Sequence, residues 1–197
     1  MARCTSALVL LLAATGISGD ANASNTTAVD DVVALALHDV AIESTRSDKR
    51  SLIYLIRHGE KPDDDNDSYL SPRGEERAAC LAQKWATFGF TSLFCPDFDP
   101  DTNKRGRACQ TIRPLSQATG IALNSDFDRD DDQGVAKAIL KAAKNGPVLL
   151  AWEHKVLADI AKDLSGAKKK YPSEEFDLIW TYNPNKNKFL ADSNENC

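Results

Sequence analysis

Two unbroken apolar runs constrain this chain most: Leu52-Ile53-Tyr54-Leu55-Ile56 and Pro147-Val148-Leu149-Leu150-Ala151-Trp152, each ending in a polar cluster that contains a histidine. Runs without polar alternation belong to strands buried on both faces, and such strands need helices above and below the sheet. The sequence supplies those helices. Ser71-Pro72 is a helix start with proline in the first turn, and Ala78, Leu81, Ala82, Trp85 and Ala86 follow on one face. Further helical spacing covers Ala108 to Ala118, Val135 to Ala143, and Val156 to Leu164, where Leu157, Ile160, Ala161 and Leu164 share a side. Short strands are expected at Ser92 to Cys95, at Ile121 to Leu123, and finally at Phe176 to Tyr182. Strands alternating with helices make βαβ units, so the expected class is α/β, a three-layer α/β/α sandwich around a mainly parallel central sheet. Residues 51–197 carry this pattern as one domain.

The segment ahead of it reads differently. Arg3 gives a positive start, Ala7 to Ile17 is apolar, and Ala21-Asn22-Ala23 is a small-x-small cleavage site, so residues 1–23 are expected to be a secretory signal peptide. Residues 24–50 are expected to hold a short amphipathic helix, with Val29, Val32, Val33, Ala36, Leu37 and Val40 at helical spacing, and then a linker. The linker closes on Lys49-Arg50, a pair that would also suit removal of a pro-segment. Export fits the cysteines: beyond Cys4 the chain keeps Cys80, Cys95, Cys109 and Cys197, an even number with three possible pairings and no C-x-x-C spacing. Asn25-Thr26-Thr27 and Asn66-Asp67-Ser68 are glycosylation sequons.

Charge and hydropathy exclude whole classes of function. Lys and Arg total 24 against 29 Asp and Glu, a net charge of -5, which leaves no basic surplus for a nucleic-acid backbone. The run Ala7 to Ile17 is too short to span a bilayer, so neither nucleic acid nor membrane is an expected partner.

In open α/β sheets the ligand site lies beyond the carboxyl ends of the strands. The first run exits into Arg57-His58-Gly59-Glu60 and the second into Glu153-His154-Lys155, so two of three histidines fall at one sheet edge. His38, on the N-terminal helix, is read as structural. A histidine flanked by arginine is suited to nucleophilic attack on phosphorus, because the guanidinium offsets the charge of the phosphorylated ring. The acidic stretch Asp63 to Asp67 lacks the glycine and terminal glutamate of a calcium loop and is read as a solvated surface loop, as is Lys168-Lys169-Lys170.

Arg57-His58-Gly59-Glu60, Leu70-Ser71-Pro72-Arg73-Gly74-Glu75-Glu76-Arg77-Ala78, Arg107-Ala108-Cys109-Gln110-Thr111 and His154 together resemble the motifs of the histidine phosphatase superfamily. Trp152-Glu153-His154 and Phe176-Asp177-Leu178-Ile179-Trp180 are similar to a small secreted branch of it. The resemblance implies a phosphoglycerate-mutase-like fold and hydrolysis of a small phosphorylated substrate without metal or cofactor. His58 would be the nucleophile, with Arg57, Arg107 and a protonated His154 balancing the equatorial oxygens. It also implies a proton donor within Asp128-Arg129-Asp130-Asp131-Asp132; Asp130 is the expected one, with Asp131 and Glu153 as alternatives. Glu153 stands where the family often has glycine. The alternative function is a catalytically idle member that binds a phosphorylated ligand or a host protein. Cys95 and Cys109 both fall near the carboxyl edge of the sheet and are the expected pair, which leaves Cys80 with Cys197.

Overall fold

The computed structural model describes residues 51–64 and 66–197; the expected signal peptide, N-terminal helix and His38 lie outside the described residues. Strand β1 (Ile53–Arg57) is followed by helix α1 (Pro72–Trp85), β2 (Ser92–Phe94), α2 (Arg107–Thr119) and β3 (Leu123–Asn124). Then come α3 (Asp132–Ala142), β4 (Val148–Trp152), α4 (His154–Ser165) and β5 (Leu178–Asn183), with two-residue strands β6 (Lys188–Phe189) and β7 (Ser193–Asn194). The sheet order is β3-β2-β4-β1-β5-β6, and β7 also pairs with β5.

The strands from β3 to β1 run parallel, whereas β5 is antiparallel to β1 and to both short C-terminal strands. The fold is thus the expected α/β sandwich with a mixed, mostly parallel sheet. Alternation within the strands explains why the sequence runs read as continuously apolar. Ile53, Leu55, Val148, Leu150, Trp152 and Trp180 face α3 and α4, while Ile56, Leu149, Ala151 and Ile179 face α1 and α2. Both faces are therefore dry, and each fully buried Leu or Ile contributes about 1.5–3 kcal/mol.

Local signals set the helix ends. The Ser71 hydroxyl accepts from the Gly74 amide at 3.2 Å, with Pro72 at the first helical position. Helix α2 ends at Gly120, left-handed at φ 74°. Gly59, just after β1, has a backbone outside the left-handed region, and its absent side chain serves close packing. A β-carbon there would meet Leu70 Cδ2 at 3.1 Å and the Gly74 Cα at 3.3 Å. The turn after β1 can thus lie directly on the start of α1.

The cysteines pair as expected, Cys95 with Cys109 and Cys80 with Cys197. The first bridge ties the end of β2 to α2 across 14 residues, and the second ties the C-terminus to α1 across 117. Among the described residues no helix is long and apolar enough to cross a membrane.

Candidate active site

Register brings the two histidines together. Arg57 pairs with Trp152 at the ends of β1 and β4, and the His58 amide donates to the Trp152 carbonyl at 2.9 Å, one residue beyond the strand. The Nδ1 atom of His58 lies 2.8 Å from the carbonyl oxygen of Gly59. A carbonyl only accepts, so Nδ1 donates and Nε2 keeps its lone pair. Burial lowers the His58 pKa to about 4; the bond to Gly59 opposes this, and Arg57, Arg107 and His154 add to the lowering. At neutral pH the ring is an uncharged nucleophile held in one tautomer.

The surrounding groups are fixed by backbone contacts. The Thr111 hydroxyl accepts from the Gly59 amide at 2.7 Å and donates to the Arg107 carbonyl at 2.8 Å, which couples the turn after β1 to the first turn of α2. The Arg107 guanidinium donates to the carbonyls of Asp67 and, at 3.0 Å, Tyr69. The end of the acidic loop, read from sequence as merely solvated, is thus an anchor for a cation of the site. Arg57 donates from Nη1 to the carbonyls of Ser173 and, at 3.2 Å, Glu175, and stacks 3.7 Å from the Phe176 ring centroid. Its buried Nε has no hydrogen-bond partner among the described residues. Arg57 does not line the cavity that opens on His58.

Glu153 explains its own departure from glycine. Its Oε2 caps α4 by accepting from the amides of Lys155 at 3.0 Å and Val156 at 3.3 Å, and its Oε1 lies 2.8 Å from Nδ1 of His154. The latter contact is an approach of charge without hydrogen-bond alignment. Without a bound anion, burial and then Arg57 push the His154 pKa below the ordinary value, against the pull of Glu153. The unliganded imidazole is therefore neutral at neutral pH, and the negative charge of a bound phosphoryl group would favour its protonation.

A cavity of about 250 Å3 opens on His58, and Lys104, Arg105, Arg107 and Arg129 line it with Glu153. Asp130 is not among its walls. That carboxylate is exposed and forms a bidentate pair with Arg129, both bonds at 2.8 Å, which holds it below the usual carboxylate range. With both of its oxygens on Arg129 and its side chain outside the cavity, the expected proton donor is not placed for that role. Asp131 is spent on the N-cap of α3, accepting from the Gly134 amide at 2.9 Å. Glu153, the remaining alternative, is the acidic residue that reaches the cavity.

Sequence reasoning missed the support behind Arg57. Arg77 donates from Nε and Nη2 to the two oxygens of Glu195, each at 2.6 Å, and from Nη2 to the Arg57 carbonyl at 3.0 Å. Both side chains of the pair are buried. Arg77 stood in a quoted motif, but Glu195 is 118 residues away in sequence and carries no local signal.

The topology and the histidine pair at the carboxyl edge define a phosphoglycerate-mutase-like α/β protein. Residues 53–129, from β1 to the loop after β3, match the family model of the histidine phosphatase superfamily (branch 1). Its members are mostly histidine-dependent phosphatases and mutases. Among solved structures, the chain is similar to the protein histidine phosphatase SixA complexed with tungstate at 15% identity and a TM-score of 0.54, covering 73% of this chain and 97% of that one. SixA from Agrobacterium tumefaciens gives 12% identity and a TM-score of 0.51 over the same shares, 73% and 97%. A phosphoglycerate mutase from Bacillus anthracis gives 16% identity and a TM-score of 0.48, covering 76% of this chain and 95% of that one. No curated protein matches the chain.

Proposed function

We propose that this protein is a secreted histidine phosphatase that hydrolyses small phosphomonoesters through a phosphohistidine. One observation carries the reading: a buried, uncharged His58 whose Nδ1 is tied to the Gly59 carbonyl, leaving Nε2 as the nucleophile at a cationic cavity. Nε2 attacks phosphorus in line, and the phosphorus–nitrogen bond forms as the phosphorus–oxygen bond to the leaving alcohol breaks. Arg57 and Arg107 balance the charge on the equatorial oxygens, and His154 joins them once the anion raises its proton affinity. The leaving oxygen takes its proton from the Glu153–His154 pair. The same pair then accepts a proton from the water that attacks phosphorus, releasing phosphate and free His58. Export rests on the leader features of residues 1–23 and on the two disulfides, which persist in oxidising compartments.

The purified protein should release phosphate from some members of a panel of phosphomonoesters, phosphoanhydrides and a phosphohistidine peptide. Inactivity across the panel would favour a module that only binds a phosphorylated ligand. The proton donor has its own signature. Glu153→Gln should cost alkyl phosphates about 10²-fold or more in kcat while costing nitrophenyl phosphate far less, because a good leaving group needs little protonation. Equal losses on both substrates would assign Glu153 to capping α4 alone. N-terminal sequencing of extracellular material should find a start near Ser24, and retention of Met1 there would contradict cleavage.

A further inference from the structure

Segment 193–197 lies along α1 and meets it at three residues. Glu195 pairs with Arg77, Cys197 is bridged to Cys80, and Lys84 Nζ donates to the carbonyls of Glu195, at 3.0 Å, and Asn196. Arg77, Cys80 and Lys84 follow at intervals of three and four, so they share one face of the helix. The segment also supplies β7 to β5, and the Glu195 amide donates to the Asp177 carbonyl at 2.7 Å. Ser193-Asn194-Glu195-Asn196-Cys197 carries no apolar side chain apart from its cysteine, and Glu195 is its one buried residue. Its non-covalent contacts are polar, and water replaces contacts of that kind at little cost.

Two effects oppose this docking. Ordering the segment costs chain entropy, and burial pushes the Glu195 carboxyl above its ordinary range, against the pull of Arg77. The disulfide holds the segment down against both, because it keeps the effective concentration of Glu195 beside Arg77 high. The two bridges differ in access. Cys95 and Cys109 are fully buried, whereas Cys197 is exposed beside a cavity of about 190 Å3 that Glu60, Arg77 and Asp177 also line. Exposed bridges are the readily reduced ones.

What the segment secures is the backbone around His58. Arg77 Nη2 donates both to Glu195 Oε1 and to the Arg57 carbonyl, while Nη1 stands 4.0 Å from Glu60 Oε2. One guanidinium thus holds the residue before His58 and a side chain two residues after it.

We propose that the Cys80–Cys197 disulfide is a site of reductive modification by a dithiol, and that opening it releases Glu195 from Arg77 and lowers turnover at His58. The effect on turnover rests on the phosphatase reading above, whereas release of the segment is a property of the fold. A thiolate of the dithiol attacks Sγ of Cys197, the Sγ–Sγ bond breaks, and Cys80 leaves as a thiolate that takes up a proton. The second thiolate of the dithiol attacks its partner sulfur in the mixed disulfide. Cys197 then leaves and is protonated, so two electrons and two protons pass to the cysteines as the dithiol becomes a disulfide.

Dilute dithiothreitol, then iodoacetamide and peptide mass spectrometry, should label Cys80 and Cys197 and leave Cys95 joined to Cys109. The reduced protein should hydrolyse nitrophenyl phosphate with kcat about tenfold or more below that of the oxidised form, recover on reoxidation, and keep its circular dichroism. Cys80→Ser with Cys197→Ser should match the reduced form and ignore the reductant. Amide exchange followed by NMR needs no turnover. Exchange at Glu195 and at His58, whose amide donates to the Trp152 carbonyl, should each quicken about tenfold or more relative to core amides of β4, which report any general loss of stability. A bridge that only adds stability would lower the melting temperature of the serine variant while kcat and His58 exchange stay unchanged well below it, and that result overturns the proposal. Unchanged exchange at Glu195, or opening of the buried bridge ahead of the exposed one, overturns it as well. If the oxidised protein hydrolyses no ester, the phosphatase reading fails, and exchange at Glu195 and His58 decides whether the bridge controls the site.

Discussion

His58→Ala is expected to lower kcat by roughly ten-thousand-fold or more, because it removes the atom that bonds to phosphorus in the proposed mechanism while the arginines remain. The wild-type protein quenched into base while incubated with a labelled phosphomonoester should carry label on the peptide containing His58, since phosphohistidine survives alkali and is lost in acid. Phosphatase activity that persists in His58→Ala would falsify the mechanism. The pH profile adds an independent mark. With its pKa lowered to about 4, His58 stays deprotonated well below the ordinary histidine value of 6.5. Once the substrate's own second ionisation near pH about 6 is allowed for, kcat/KM should show no loss from His58 until pH approaches about 4.

Stability follows the same shift. The folded-state pKa lies below the unfolded one, so the unfolded chain takes up the proton first as pH falls. The contribution is complete above about pH 6.5 and is lost as pH drops toward about 4. Denaturant midpoints should fall across that window, and fall less in His58→Ala.

Glu195→Ala should destabilise the fold by about 3–5 kcal/mol, because it leaves the Arg77 guanidinium buried without its bidentate partner. The double variant Arg77→Met with Glu195→Leu should recover part of that loss, since it removes both buried charges while leaving the Arg57 carbonyl and Glu60 without the Arg77 guanidinium. Urea unfolding of the three proteins measures both effects, and a loss under about 1 kcal/mol in the single variant would show the pair to be solvated. Activity should fall with the single variant as well. Arg77 Nη2 also donates to the Arg57 carbonyl, so an Arg77 that swings toward water would release the residue preceding His58.

The elements that the sequence located well were those with strong local signals. Ser71-Pro72 marked the start of α1 through a cap and a proline, and the apolar run at Pro147 to Trp152 contained β4 in full. Other boundaries moved by a few residues. The run read as Ile121 to Leu123 became β3 at Leu123–Asn124, and α4 begins at His154 rather than Val156 because Glu153 caps it. Strands β6 and β7 left no readable trace, since two residues have no periodicity and exist only by pairing with β5. The antiparallel direction of β5 was equally hidden, because strand direction follows from how the chain returns and not from side-chain pattern.

For the site, the sequence by itself determined the fold class, the two histidines at one sheet edge, and the arginines beside His58 and at the start of α2. The fold class, the histidines and Arg57 follow from residue type at strand and helix ends, which local spacing reveals, whereas Arg107 came from the resemblance of its segment to a family motif. Tertiary structure alone decided that Asp130 is an exposed partner of Arg129, that Glu153 is the carboxylate reaching the cavity, and that Glu195 neutralises Arg77 behind Arg57. Each of those depends on which charge burial leaves without water and which opposite charge the fold brings within reach. For Arg77 and Glu195 that is a property of positions 118 residues apart, and no local pattern encodes it.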